Sequence, residues 1–171
     1  MIYSEIQEKS PSYPGRVSSQ LMSQCVSTRL IAEVLWRFDR QVWETFSVHR
    51  ISVEAWAVGV RVYGEGVRGG LVSYRDLVSI LKDEAIAKSE QLGVERRGKN
   101  LWIVDSFQGA KKHSVLRLGG HLGCDCMKYK CWSNRMNDEL PALFKALDGK
   151  LFCHHTVAVK RTLSDDPLLW F

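Results

Sequence analysis

The chain has 171 residues, 45% of them hydrophobic and 25% charged, with a formal net charge of +5. That suffices for one ordinary globular domain and is short for two. No run of about 18 apolar residues occurs, so no membrane-spanning helix and no membrane partner are expected, and the segment Met1-Ile2-Tyr3-Ser4-Glu5 lacks the basic-then-apolar order of an export signal. A cytoplasmic protein with reduced thiols follows as the expectation.

Residues 1–20 are rich in Ser, Gln and Pro, and Pro11, Pro14 and Gly15 oppose regular structure, which predicts a flexible arm. Cys25 reads as a small buried apolar residue. Between Thr28 and Phe46, Ile31, Leu35, Phe38, Val42 and Phe46 recur at spacings of four and three, predicting an amphipathic helix with Glu33, Arg37, Arg40 and Glu44 on other faces. Ser52–Tyr63 is dense in Val and aromatic residues and predicts one strand, ending in a turn at Gly64-Glu65-Gly66 that Gly69 and Gly70 extend. Ser73 then caps a helix reaching about Gln91, with Tyr74, Leu77, Val78, Leu81 and Ala85 along one face. Two more strands are expected at Leu101–Ser106 and His113–Leu118. This order contains too few strand-helix-strand units for a doubly wound parallel sheet, so the fold class expected is α+β, helices with a short antiparallel sheet.

The last third of the chain carries the chemistry. Cys124 and Cys126 stand two apart at the end of a strand-like run, which puts both thiols on one side of an extended segment. Cys153 and His155, also two apart, lie where Cys153-His154-His155-Thr156-Val157 turns from loop into a short helix, with His154 facing away. Three thiolates and one imidazole suit a single tetrahedral zinc ion, which fixes its ligands at short distances and substitutes for a core in a small module. Cys131, in the spacer, supports a second assignment, an all-cysteine site of Cys124, Cys126, Cys131 and Cys153. The spacer also predicts a basic, aromatic loop at Lys128-Tyr129-Lys130-Cys131-Trp132. A helix follows through Leu140, Leu143, Phe144 and Leu147, with Pro141 in its first turn and Gly149 at its end.

Cys124-x-Cys126, a spacer, and Cys153-x-His155 followed by Ala158-Val159 resemble the SWIM zinc finger over about residues 113–163. The resemblance implies a zinc-stabilised module and association with DNA-handling machinery such as recombination and transposition. The organisation expected is an arm over residues 1–20, an α+β domain over 21–110, and over 111–171 a ββα-like zinc module with a helical insert and an apolar tail.

Charge agrees with an anionic partner. Residues 107–171 hold 10 Lys/Arg against 6 Asp/Glu, whereas residues 1–106 hold 14 against 13. Lys111, Lys112, Lys128, Lys130, Lys160 and Arg161 are candidate phosphate contacts, and Tyr129 and Trp132 candidate stacking partners for bases. A filled Cys₃His shell leaves no open position for catalysis, and the chain has no phosphate-binding Gly-Lys-Ser/Thr loop, Gly-x-Ser-x-Gly elbow or His-Glu-x-x-His helix. The function expected is a non-enzymatic nucleic-acid-binding protein, acting on DNA rather than RNA, as an accessory factor in recombination, transposition, replication or defence. The rival is a zinc-stabilised adaptor that uses Pro167-Leu168-Leu169-Trp170-Phe171 for a protein partner or self-association.

Overall fold

A computed structural model of the chain describes Leu30, Glu33, Val34, Arg37, residues 52–64, 67–107 and 109–164, and Phe171. The expected N-terminal arm, Cys25, the stripe from Ile31 to Phe46 and residues 167–170 of the tail lie outside the described residues.

Two antiparallel sheets and the helices around them make an α+β fold. In the first sheet β1 (Ser52–Ala55), β2 (Gly59–Gly64) and β3 (Val67–Ser73) lie side by side. The single strand expected over Ser52–Tyr63 is therefore a hairpin, closed by Trp56 donating its N–H to the Gly59 carbonyl at 2.8 Å. Gly59 is where the strand resumes. A Cβ there would meet the Val72 carbonyl oxygen at 2.3 Å, so the approach of β2 to β3 requires glycine. Gly69 and Gly70, expected in the turn, belong to β3, with Gly70 opposite Val62.

Helix α1 (Tyr74–Ser89) begins where β3 ends, because Ser73 Oγ accepts the Asp76 N–H at 3.1 Å and satisfies one of the free donors of the first turn. Its buried face, Tyr74, Leu77, Val78, Ile80, Leu81 and Ala85, includes every position the three-and-four spacing predicts. Val60, Val62 and Val72 pack on that face, joined by Leu30 and Val34, one helical turn apart. Arg37, also helical, reaches Asp83 of α1 at 2.7 Å and Glu33 at 2.9 Å.

The second sheet runs β4 (Val94–Arg96), β5 (Leu101–Ser106), β6 (Gly109–Leu118), β7 (His121–Cys124), each antiparallel to the next. Alternation of period two buries Trp102 and Val104 on β5, Val115 on β6, and Leu122 and Cys124 on β7. Trp102, Val115 and Cys124 are register partners, so the cysteine completes a row of core side chains across three strands. The boundary expected between residues 110 and 111 falls inside β6.

The basic stretch 128–132, expected as a loop, lies in α2 (Met127–Glu139), whose N-cap is Cys126. Short α3 (Pro141–Ala146) follows with Pro141 in its first turn; the proline has no N–H to continue α2 and is tolerated where a new helix begins. Leu140, Leu143 and Leu147 are buried in the first core with Trp132 and Met136 of α2. The last described helix, α4 (His154–Leu163), is a wall shared by two cores: Val157 packs in the first, Ala158 and Val159 in the second, under the sheet β4–β7. No helix among the described residues is long and apolar enough to cross a membrane.

Gly59→Ala is expected to lower stability by about 1–3 kcal/mol in urea unfolding, since the new methyl must displace β3 backbone. Val58→Ala, at a side chain 64% exposed one residue away, should stay within about 0.5 kcal/mol of the parent. Equal effects would show that the close approach is not a constraint.

Candidate metal centre

Three elements converge at the end of β7, that strand and the starts of α2 and α4. Cys124 is the strand's last residue, Cys126 caps α2, Cys153 caps α4 and His155 lies in the first turn of α4. All four are buried, and their ligand atoms lie within 4.8 Å of one another. Both helix caps are cysteines, so two helix N-termini direct the positive ends of their dipoles at sulfur and favour thiolate there.

Backbone donors add to this. The Cys126 N–H points to Cys124 Sγ and the Tyr129 N–H to Cys126 Sγ, each at 3.4 Å. At the other cap, Thr156 Oγ1 accepts from the Cys153 N–H at 3.0 Å and donates to the Cys153 carbonyl at 2.9 Å, locking the turn that presents both Cys153 and His155. His155 Nδ1 lies 3.7 Å from Cys124 Sγ and 3.8 Å from Cys153 Sγ. A tetrahedral zinc with bonds of about 2.3 Å to sulfur and 2.0–2.1 Å to nitrogen separates S and N ligands by about 3.6 Å. The donor set and its spacing therefore fit one metal ion.

The thiols also reveal what a cation would do. Cys126 is held far below the ordinary thiol range, first by the hydrogen bond it receives from Cys124 and then by that from Cys153. Cys124 is driven up, because it keeps the proton it gives to Cys126, and its contact with Cys153 and burial act in the same sense. For Cys153 the hydrogen bond with Cys124 favours the thiolate, but Cys126 and burial outweigh it and the thiol is raised. Crowding and burial thus oppose ionisation of Cys124 and Cys153, and a bound dication would favour the thiolate at all three sulfurs.

His155 is packed between two tilted rings. The His113 ring packs on it with centroids 4.3 Å apart, and the His154 ring at 4.1 Å. Its Nε2 is buried with no hydrogen-bond partner among the described residues, which leaves Nδ1 as the nitrogen aimed at the sulfurs and departs from the usual arrangement in which a ligating histidine donates its other N–H. His154 is absent from the four-ligand group, and burial first, then the neighbouring His155, pushes it down to about 4, so it is neutral near pH 7.

Cys131 does not join the cluster. It sits on α2, half-buried against the first core, and the converging group consists of Cys124, Cys126, Cys153 and His155. Sequence reasoning missed His113 and Asp125 as supports. Alternation from the buried Val115 was the signal for His113, since residues two apart on a strand share a face.

The candidate nucleic-acid contacts take separate surroundings. Lys112 pairs with Asp105 at 3.4 Å, Lys111 and Lys130 are exposed, and Arg161 reaches Ser89 of α1 at 3.4 Å. Lys128 lies over the Trp132 ring at 4.8 Å. Trp132 itself is 1% exposed and packs edge-on against Phe152, which corrects its expected role: a ring enclosed in the core has no face for a base. Tyr129 and Lys160 remain half-buried at the edge of a cleft. Phe171, the described end of the apolar tail, packs against Phe152 with centroids 4.8 Å apart. No family model, curated protein or solved structure matches the chain.

Asp125, between the two cysteines, accepts a hydrogen bond from His113 Nδ1 at 2.9 Å. Partial burial opposes its ionisation, but the bonds from His113 and the Ser114 backbone outweigh burial and hold the carboxyl below its ordinary value. A depressed carboxyl stabilises the fold above its unfolded value of about 3.9, and that stability is lost as pH falls through the folded value. With the side chain 45% exposed, Asp125→Asn is expected to cost under about 1 kcal/mol at pH 7. It should also flatten the stability curve below about pH 4 in urea unfolding; an unchanged acid limb would remove Asp125 as a contributor.

Proposed function

We propose that this chain is a zinc-stabilised, non-enzymatic nucleic-acid-binding module of the SWIM type, serving as an accessory factor in a DNA-handling system. The observation that carries the metal half is the buried convergence of Cys124, Cys126, Cys153 and His155. Thiolate and imidazole donors favour zinc over magnesium or calcium, which prefer oxygen ligands. When bound, the ion supplies structural cross-linking rather than Lewis acidity, because four protein donors complete a tetrahedral shell. It would tie the end of β7 to the starts of α2 and α4.

The nucleic-acid half is supported by the basic excess of residues 107–171 and by the spacing Cys-x-Cys and Cys-x-His that resembles SWIM modules. A tail-mediated adaptor has less support, since the Phe171 ring is already engaged with Phe152.

Metal analysis of purified protein separates the ligand assignments. Cys131→Ser is expected to retain one zinc per chain, whereas His155→Ala loses it or binds it at least tenfold more weakly; the reverse pattern would establish the all-cysteine site. For the partner, affinity for DNA should fall with salt at a log–log slope of about 0.9 per neutralised phosphate on duplex and about 0.7 on single strands. Salt-insensitive association would overturn the nucleic-acid reading.

A further inference from the structure

A cleft of about 790 Å³ opens beside the metal cluster, bordered by the β6–β7 hairpin, α2, the turn after α3 and the later part of α4. This volume lies within the range of pockets that hold small molecules. Arg117, His121, Lys150 and Lys160 line it, and no aspartate or glutamate does so among the described residues.

Elsewhere on the described surface Arg37, Lys88, Arg97, Lys112 and Arg135 each have a carboxylate partner, whereas Lys99, Lys111 and Lys145 make no ion pair among the described residues. In the cleft, Arg117, Lys150 and Lys160 make no ion pair among the described residues. Lys160 is half-buried, and burial first, then Lys150 and Lys82, lowers its pKa. Arg117 and Lys150 are exposed, and with no aspartate or glutamate in the described lining this edge of the cleft is complementary to an anion that arrives from outside.

The rest of the lining is suited to a flat ring with a polar edge. Tyr129 contributes a hydroxyl that makes no hydrogen bond among the described residues. Phe144 supplies an aromatic wall, backed by Gly149, where a Cβ would lie 3.6 Å from the ring. Asp148 and Gly149 both have positive φ, 53° and 68°, and this left-handed turn carries the chain directly from the Phe144 helix to Lys150. One tight turn therefore brings an aromatic wall and a cation to the same cleft.

We propose that the cleft binds an unpaired nucleotide, its phosphate among Lys150, Lys160 and Arg117 and its base against Phe144, so that the module engages single-stranded rather than duplex nucleic acid. The reason for the strand preference is geometric. A paired base is enclosed in its stack, whereas an unpaired one presents a π-face and an accessible phosphate to a concave site. This inference rests on the nucleic-acid reading above and names the surface and strand type it would use.

The test is fluorescence anisotropy on the metal-loaded full chain, using a labelled oligothymidine of roughly 15 nucleotides, its duplex with the complementary strand, and thymidine 5′-monophosphate as competitor. The single strand should bind more tightly than the duplex. Lys160→Gln and Lys150→Gln should each weaken single-strand binding about tenfold and lower its salt slope by about 0.7. Phe144→Leu should weaken it without changing that slope, and Arg75→Gln, exposed at the start of α1, should leave it unchanged. Zinc content at the parental level identifies a folded variant. If Lys128→Gln and Lys130→Gln weaken binding while the two cleft lysine variants do not, the cleft is not the site and the nucleic-acid function stands. Duplex binding as tight as single-strand binding overturns the strand preference. Competition by the mononucleotide at the same affinity as the oligomer assigns the cleft to a free nucleotide and overturns the nucleic-acid function. Absence of binding to either strand sinks both readings together.

Discussion

Three cysteine sulfurs and one imidazole nitrogen converge in a buried place where a strand ends and two helices begin, and the C-terminal half of the molecule is organised by that convergence. Burial and mutual crowding oppose ionisation of Cys124 and Cys153, so a bound cation would favour the thiolate there. Helix dipoles and backbone N–H groups favour thiolate, the same sense in which a cation would act, against the burial and crowding that oppose it. Metal binding at such a site would be linked to the folding of this region.

Helix α4 transmits that local constraint to the whole fold. Its first turn holds Cys153 and His155, the next residue but one, Val157, enters the core with α1, and Ala158 and Val159 enter the core under the second sheet. Fixing the helix start therefore sets the seat of both cores. Arg161 extends the link by reaching Ser89 on α1. The spacing of two between Cys153 and His155 works because the cap residue is extended while the histidine is helical; the Thr156 hydroxyl locks that change of conformation.

The same arrangement decides where charge can act. Helix α2 starts at Cys126, so Trp132 turns inward and Lys128 lies over its ring, while Lys130 stays exposed. Basic residues that are neighbours in sequence are thereby dispersed, and Lys150 and Lys160, ten apart, come to line one cleft with Arg117. Proximity along the chain was a poor guide to which cations share a surface.

Much of the local structure was legible in the residues. Ser73 and the three-and-four spacing behind it determined α1, Pro141 and the leucines after it determined α3, and the cysteine and histidine spacing picked out the ligand group, because each depends on backbone periodicity and donor chemistry within a few residues. What only the tertiary structure decided has a common cause in long-range contact. The split of Ser52–Tyr63 into a hairpin depends on Gly59 meeting Val72; the helical state of residues 128–132 depends on Cys126 being held at the cluster; and the separation of Cys131 from the other thiols depends on which face of α2 meets the first core. Packing between distant segments selects among states that local propensity leaves nearly equal in energy.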